Sequence, residues 1–317
     1  MIKFNYIDHL LKCSLSSIKN LHFCRSFLNK CRDEVFSGKQ LRYKSVNYSL
    51  NGEMYSSMNI GLNRSIQEDS TLIVKHPADL NYKFLIVADG MGGAECGEYA
   101  SNFVTKKMLE WFESLDVNFF EDVNLMSQLF QDALMNVDSM LYHNNRERGI
   151  DSGTTFVGAI IGKCHSVVCS VGDSRAYCYS SGVLYRITED DSSVQVLRNR
   201  GIIENDDDMR FHVGSNFVTQ CLGGIKRAVP HVYQLSNLSY EYLILFSDGV
   251  VDCLSYKQLN DIIKNTKFSK ISKKIVKNSL NTNSYIRDEL QNDDNYKKCI
   301  LGGKDNISAV LVKSVRK

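Results

Sequence analysis

Phe84-Leu-Ile-Val-Ala-Asp89-Gly90-Met91-Gly92-Gly93 decides how this chain is read: a short apolar run of strand character ends in a carboxylate and passes at once into glycines. On its own, Asp-Gly after a strand signals a hairpin turn. The pattern returns at Leu243-Ile-Leu-Phe-Ser-Asp248-Gly249, where a turn is again the simplest expectation. Asp305 stands just before the apolar run 307–312, and Glu68 and Asp69 close the segment Asn63-Arg-Ser-Ile-Gln-Glu-Asp. Strands that enter and leave a sheet at one end would gather these carboxylates. Gathered carboxylates repel one another unless a cation neutralises them.

The candidate ligands are all oxygens with no His or Cys beside them, which favours hard octahedral ions, Mg²⁺ or Mn²⁺, over zinc. Without a Cβ, Gly90 lets the backbone approach such an ion and present its carbonyl. Two such cations roughly 4 Å apart would acidify a bridging water, orient a phosphate for in-line attack and neutralise the leaving oxygen. That chemistry is phosphoester hydrolysis.

Outward from these runs, short apolar segments separated by Gly, Asp and Asn predict strands at 84–88, 155–161, 166–171, 243–246 and 307–312. Apolar residues at three- and four-residue spacing predict helices over 98–115 and 123–144. A third helix is expected after Ser255, capped by its hydroxyl and running through Leu259, Ile262 and Ile263 toward Leu280. Residues 201–216 and 281–304 are polar and read as irregular. Strands in blocks, not each paired with one helix, predict an α+β fold of antiparallel sheets covered by helices.

A chain of 317 residues with 43% apolar content can bury a large core. With 38 Lys and Arg against 36 Asp and Glu, no overall charge excess points to nucleic acid. The imbalance is local. Residues 1–44 carry +6 and space Ile7, Leu10, Leu11, Leu15, Ile18 and Leu21 at roughly helical intervals, leaving −4 for the remainder of a chain whose net charge is +2. Two parts are therefore expected: a basic N-terminal extension, 1–44, packed on the body or offering a basic surface to anionic lipid or a partner protein, and a catalytic body, 45–317. Ten scattered cysteines, with no CxxC pair and no zinc-finger spacing, predict reduced thiols in a cytoplasmic compartment. Cys164, Cys169 and Cys178 lie in or beside apolar runs and are expected to pack as small hydrophobes. No apolar stretch reaches bilayer length and no secretory leader is evident, so neither a transmembrane segment nor a cleaved signal is expected.

These residues resemble the metal-dependent type 2C (PPM-type) family of Ser/Thr protein phosphatases, its bacterial-style members in particular. Six motifs carry the resemblance in order over residues 59–313. They are Asn63-Arg-Ser-Ile-Gln-Glu-Asp-Ser, Val87-Ala-Asp-Gly-Met-Gly-Gly, Ser152-Gly-Thr-Thr, Gly172-Asp-Ser-Arg-Ala-Tyr, Ser247-Asp-Gly-Val-Val-Asp and Asp305-Asn-Ile-Ser-Ala-Val. The resemblance implies a sandwich of two antiparallel sheets flanked by helix pairs, with metals in a cleft at one end. It implies hydrolysis of phosphoserine and phosphothreonine in proteins by a metal-bridging water, opposing a Ser/Thr kinase, and a monomeric enzyme.

Carried over by motif, Asp89, Asp248 and Asp305 resemble carboxylate ligands of two Mn²⁺ or Mg²⁺ ions. The Gly90 carbonyl and Glu68 or Asp69 complete the second site directly or through water. Asp151 resembles the extra ligand of a weaker third cation, shared with the Asp248 region. Arg64 resembles the phosphate-binding arginine, a role suited to its planar fork of donors. Asp173 corresponds to a structural residue that fixes a strand corner. Three positions depart from the family pattern. Met91 stands where some members carry a proton-donating His, so the general acid is unassigned. Asp190-Asp191-Ser192 replaces Asp-His-Ser, and Gln220 replaces an Arg, both beside the variable flap. Two other readings share this fold: a catalytically silent phosphoprotein-binding module, and a phosphatase of nucleotides or other small phosphates.

Overall fold

The computed structural model describes residues 45–92 and 96–314. The expected basic extension, 1–44, lies outside the described residues. The body begins with β1 (Ser45–Leu50), β2 (Met54–Asn59), β3 (Asp69–Lys75) and β4 (Lys83–Gly92). Helices α1 (Cys96–Ser114) and α2 (Val123–Arg148) follow, then strands β5 (Ser152–Thr154), β6 (Phe156–Ile161), β7 (His165–Val171), β8 (Arg175–Ser180) and β9 (Val183–Arg186). Two short helices, α3 (Ser193–Asn199) and α4 (Asp206–Met209), precede β10 (His231–Ser236) and β11 (Tyr242–Phe246). The chain closes with α5 (Asp248–Val251), α6 (Tyr256–Lys264), α7 (Ile271–Asn281), β12 (Ser284–Tyr285), β13 (Cys299–Ile300) and β14 (Ile307–Lys313).

Two antiparallel sheets are stacked, one in the order β1-β2-β14-β11-β8-β9 and the other β10-β7-β6-β4-β3, with β5 paired to the end of β4. Between them lies a core of Leu85, Val87, Val157, Leu243, Leu245 and Val310, all fully buried. The outer face of one sheet packs Phe84 and Ile86 against Met108, Phe112, Phe130 and Leu134 of α1 and α2. The outer face of the other packs Ile244, Phe246 and Leu311 against Leu259, Ile263 and Ile275 of α6 and α7. The central strands β4 and β11 thus bury both faces, which explains why 84–88 and 243–246 are continuous apolar runs, and each such side chain contributes about 1.5–3 kcal/mol on burial. The helix-sheet-sheet-helix layering agrees with the expected sandwich.

Local signals set several boundaries. Asp122 caps α2 by accepting the Asn124 and Leu125 N–H groups, and Gly149 ends it in a left-handed conformation at φ 65°. Ser255 caps α6 in a reciprocal capping box with Gln258. The single helix expected from there toward Leu280 is broken into α6 and α7 by a turn of 3₁₀ helix at Phe268–Lys270. The break lets Phe268 leave the helical stripe and stack on Tyr242, with ring centroids 4.7 Å apart. Of the three cysteines expected in the core, Cys169 is buried and Cys178 half-buried, whereas Cys164 is exposed because it falls in the turn between β6 and β7. The seven described cysteines are free thiols, and no described helix is long and apolar enough to cross a membrane.

Candidate metal centre and phosphate site

The turns expected at the two Asp-Gly pairs do not form. Asp89 and Gly90 lie inside β4, which runs on to Gly92 and pairs there with β5. A Cβ on Gly90 would meet the Gly97 carbonyl oxygen at 2.1 Å, so this close approach to the start of α1 admits only glycine. Asp248 and Gly249 instead open the helical turn α5 directly after β11. The sheets explain why these positions meet. Asp69 faces Asp89 across the β3–β4 ladder, while Asp248 follows β11 and Asp305 precedes β14, its antiparallel partner. One sheet supplies two carboxylates and the other supplies two more at the same open end of the sandwich.

Asp69 is buried, 4% exposed, and its Oδ2 accepts hydrogen bonds from Ser247 Oγ at 2.9 Å and Ser308 Oγ at 2.6 Å. Its Oδ1 has no partner, and neither does Oδ1 of Asp248. Burial, opposed by those two hydroxyls and reinforced by the Asp248 charge, pushes the Asp69 carboxyl up to about 7. Burial and the charge of Asp305 push Asp248 up to about 6. Asp89 is held well above the carboxylate range by burial first and then by the charges of Asp248 and Asp69. Half-buried Glu68 is raised in the same way, against the pull of Arg64.

Arg64 lies on the rim, 44% exposed, and its guanidinium bridges Asp305 Oδ2 at 2.7 Å and Glu68 Oε2 at 3.3 Å. Arg64 thus sets one positive charge against the negative cluster. Among the described residues no group of three or more His, Cys, Asp or Glu side chains is drawn together at ligand distance. The residues nevertheless fit a hard cation. Unpaired buried oxygens on Asp69 and Asp248 are acceptors without a donor, which native interiors rarely tolerate. Both carboxyls are raised by burial first, and then by a neighbouring carboxylate, Asp248 for Asp69 and Asp305 for Asp248, the effect expected of crowded charge without a cation. The donor set is all oxygen.

Asp151 is carried next to β5, the short strand that pairs with the end of β4. It is exposed just before β5, and among the described residues its carboxylate makes no hydrogen bond or ion pair. Sequence reasoning missed four residues here. Ser247 and Ser308 hold Asp69, Asn306 ties down the loop that carries Arg64, and Asp252, one helical turn beyond Asp248, is pushed up to about 7 by burial and the Asp248 charge. A signal existed for Ser308: a hydroxyl inside an apolar strand, fully buried, needs a polar partner.

Asp173 lies in the corner between β7 and β8, after Gly172 at φ 94°, and burial first and then the Asp248 charge raise its carboxyl well above the usual value. The positions that depart from the family pattern have found other partners. Asp190 is clamped by Arg175 at 2.7 Å and Arg186 at 2.6 Å. Asp191 accepts the Gly172 N–H and pairs with His231 Nε2 at 2.8 Å, and Gln220 exchanges hydrogen bonds with the backbone of Val229.

Residues 63–292 match the family model described as protein phosphatase 2C. The chain belongs to that family. This protein phosphatase 2C member is 29% identical over 234 residues to the serine/threonine phosphatase Stp of Listeria welshimeri, covering 73% of this chain and 84% of that one. A crystal structure of a bacterial serine phosphatase superposes with a TM-score of 0.70 at 26% identity, covering 84% of this chain and 98% of its own. The Staphylococcus aureus serine/threonine phosphatase Stp1 superposes with a TM-score of 0.69 at 25% identity, covering 86% and 98%. The family's activity, protein dephosphorylation, is this chain's activity, and divalent metal dependence comes with it.

Proposed function

We propose that the chain hydrolyses phosphoserine and phosphothreonine in proteins using two hard divalent cations, Mn²⁺ or Mg²⁺. Asp89, Asp248, Asp305 and the Gly90 carbonyl hold them, with Asp69 and Glu68 completing the second site directly or through water. Asp151 and Asp248 hold a weaker third. The observation that carries this is the meeting of four carboxylates at one end of the sandwich, two of them with buried oxygens left unpaired. Bound there, such cations supply charge neutralisation and water activation for in-line phosphoryl transfer.

The chain's own side chains do the rest. Ser247 and Ser308 keep Asp69 oriented with Oδ1 free. Arg64 already grips two carboxylate groups, and the same fork suits two oxygens of a phosphate. Being exposed, it can exchange one for the other as substrate arrives. Met91 has no proton to give, so the leaving alkoxide takes its proton from a group other than the residue at that position. The substrates are phosphoproteins made by a Ser/Thr kinase. The chain acts as a monomer, and its free thiols agree with a cytoplasmic site of action.

A panel of phosphoserine, phosphothreonine and phosphotyrosine peptides beside nucleotides, assayed with Mn²⁺ and with excess chelator, tests the assignment. Turnover of the first two with Mn²⁺ alone supports it. A preference for nucleotides, or binding of phosphopeptides without turnover, would overturn it.

A further inference from the structure

Residues 60–68 carry both Arg64 and Glu68, yet they form neither helix nor strand until β3 begins at Asp69, and Leu62 within them is 69% exposed. A loop with so little burial does not hold a charged side chain in place by packing. It is held from across the chain. Asn306, 2% exposed, accepts the Glu68 N–H on Oδ1 at 2.7 Å and donates through Nδ2 to the carbonyls of Ile60 at 2.9 Å and Ile66 at 3.0 Å. Both amide hydrogens and the oxygen are used. A flipped amide would set N–H against N–H and oxygen against oxygen at all three contacts, so the partners fix its orientation.

The same residue reaches the metal side. Its backbone N–H donates to Asp305 Oδ1 at 2.7 Å, while Asp305 Oδ2 accepts from Arg64. Nearby, Leu62 N–H bonds the Gly303 carbonyl at 2.6 Å, and Gly61, at φ 83°, packs so closely that a Cβ would lie 2.3 Å from the Asp305 carbonyl oxygen.

We propose that Asn306 is a positioning residue for phosphate binding: it hangs the Arg64 loop from the strand entry that carries Asp305, and so fixes the arginine relative to the metal ligands. Asn306 touches no substrate; its effect passes through Arg64. The proposal rests on the phosphate-clamp role of Arg64 given above, and the two can fail separately. An arginine off its productive position loses its charge-assisted bond to phosphate, which corresponds to roughly a ten- to hundredfold loss in affinity.

The test is a double-mutant cycle on the full chain, with inorganic phosphate as competitive inhibitor and a phosphopeptide as substrate at saturating Mn²⁺. The variants are Asn306→Ser, Arg64→Ala and the pair. Positioning through Arg64 predicts that each single change weakens phosphate inhibition about tenfold or more. The pair should then be no worse than Arg64→Ala alone, to within about twofold. A merely structural Asn306 would lower thermal stability while leaving the inhibition constant of the folded enzyme at its wild-type value; that result, or losses that multiply in the pair, overturns the proposal. Wild-type inhibition in Arg64→Ala would instead remove the phosphate-clamp role beneath it. Should Asn306→Ser fail to fold, amide exchange in the wild-type chain decides. The Glu68 N–H should be protected like a strand amide, and exchange as fast as that of Ser65 would refute the anchor.

Discussion

Replacing Asp248 with Asn should stabilise the cation-free protein while abolishing its activity. The Asp248 carboxyl has an ordinary value of 3.8 and is pushed to about 6 in the fold, by burial first and then by Asp305. The unfolded chain therefore ionises this group above about pH 4, whereas the native chain keeps the proton to about 6. Native stability is lost across that window and stays lost above it, by roughly 3 kcal/mol for a difference of about two pH units. Asn keeps the shape and never ionises. In chelator at pH 8, Asp248→Asn should melt roughly 5 to 10 °C above wild type, and at pH 4.5 the gap should shrink to a third or less. Saturating Mn²⁺ should erase or reverse the order, because only the wild type gains fully from the ligand, by about 2.7 kcal/mol at a hundredfold excess over Kd. Thermal and urea denaturation at both pH values, with and without Mn²⁺, measure all three quantities. A variant no more stable than wild type in chelator at pH 8, or equally stabilised at both pH values, would refute the electrostatic reasoning. Near-normal turnover by the variant would refute the ligand assignment.

Arg64→Ala should cut kcat/KM for a phosphopeptide about ten- to a hundredfold at saturating Mn²⁺, with Arg64→Lys recovering part of it, since Lys restores the charge but not the fork. Metal affinity by calorimetry should hold or rise slightly in the Ala variant, because a nearby positive charge is gone. Excess chelator should abolish turnover and Mg²⁺ or Mn²⁺ restore it. Calcium should bind and support little, since its loose coordination orients water poorly; full activity in chelator would contradict the metal site. Asp151→Asn should be much milder than Asp248→Asn in a metal titration of turnover, because Asp151 is proposed to serve only the weaker third cation. Removing residues 1–44 should leave peptide-phosphatase activity largely intact, and an insoluble or inactive 45–317 fragment would show that the extension packs into the core.

The strand runs, the two long helices and the Ser255 cap were legible because each is written in local periodicity and capping chemistry. The acidic positions and the all-oxygen donor set were legible for the same reason: residue type alone dictates them. The ends of the elements were not. Asp89-Gly90 has the local signature of a turn, and it continues as strand only because β5 and the Gly97 backbone lie against it. Asp248-Gly249 has the same signature and becomes a helix start.

By itself the sequence determined which groups carry the charge and what kind of ion they suit. Tertiary structure decided which of them meet. Sheet order brings Asp69 and Asp89 from one sheet to Asp248 and Asp305 from the other. It also decided what holds them: Ser308 and Asn306 act on partners about 240 residues away, a separation across which no local spacing carries information. Burial is the physical reason for the division. A side chain's chemistry is a property of its residue type, but its pKa, its unpaired oxygens and its partners depend on what the rest of the chain places around it.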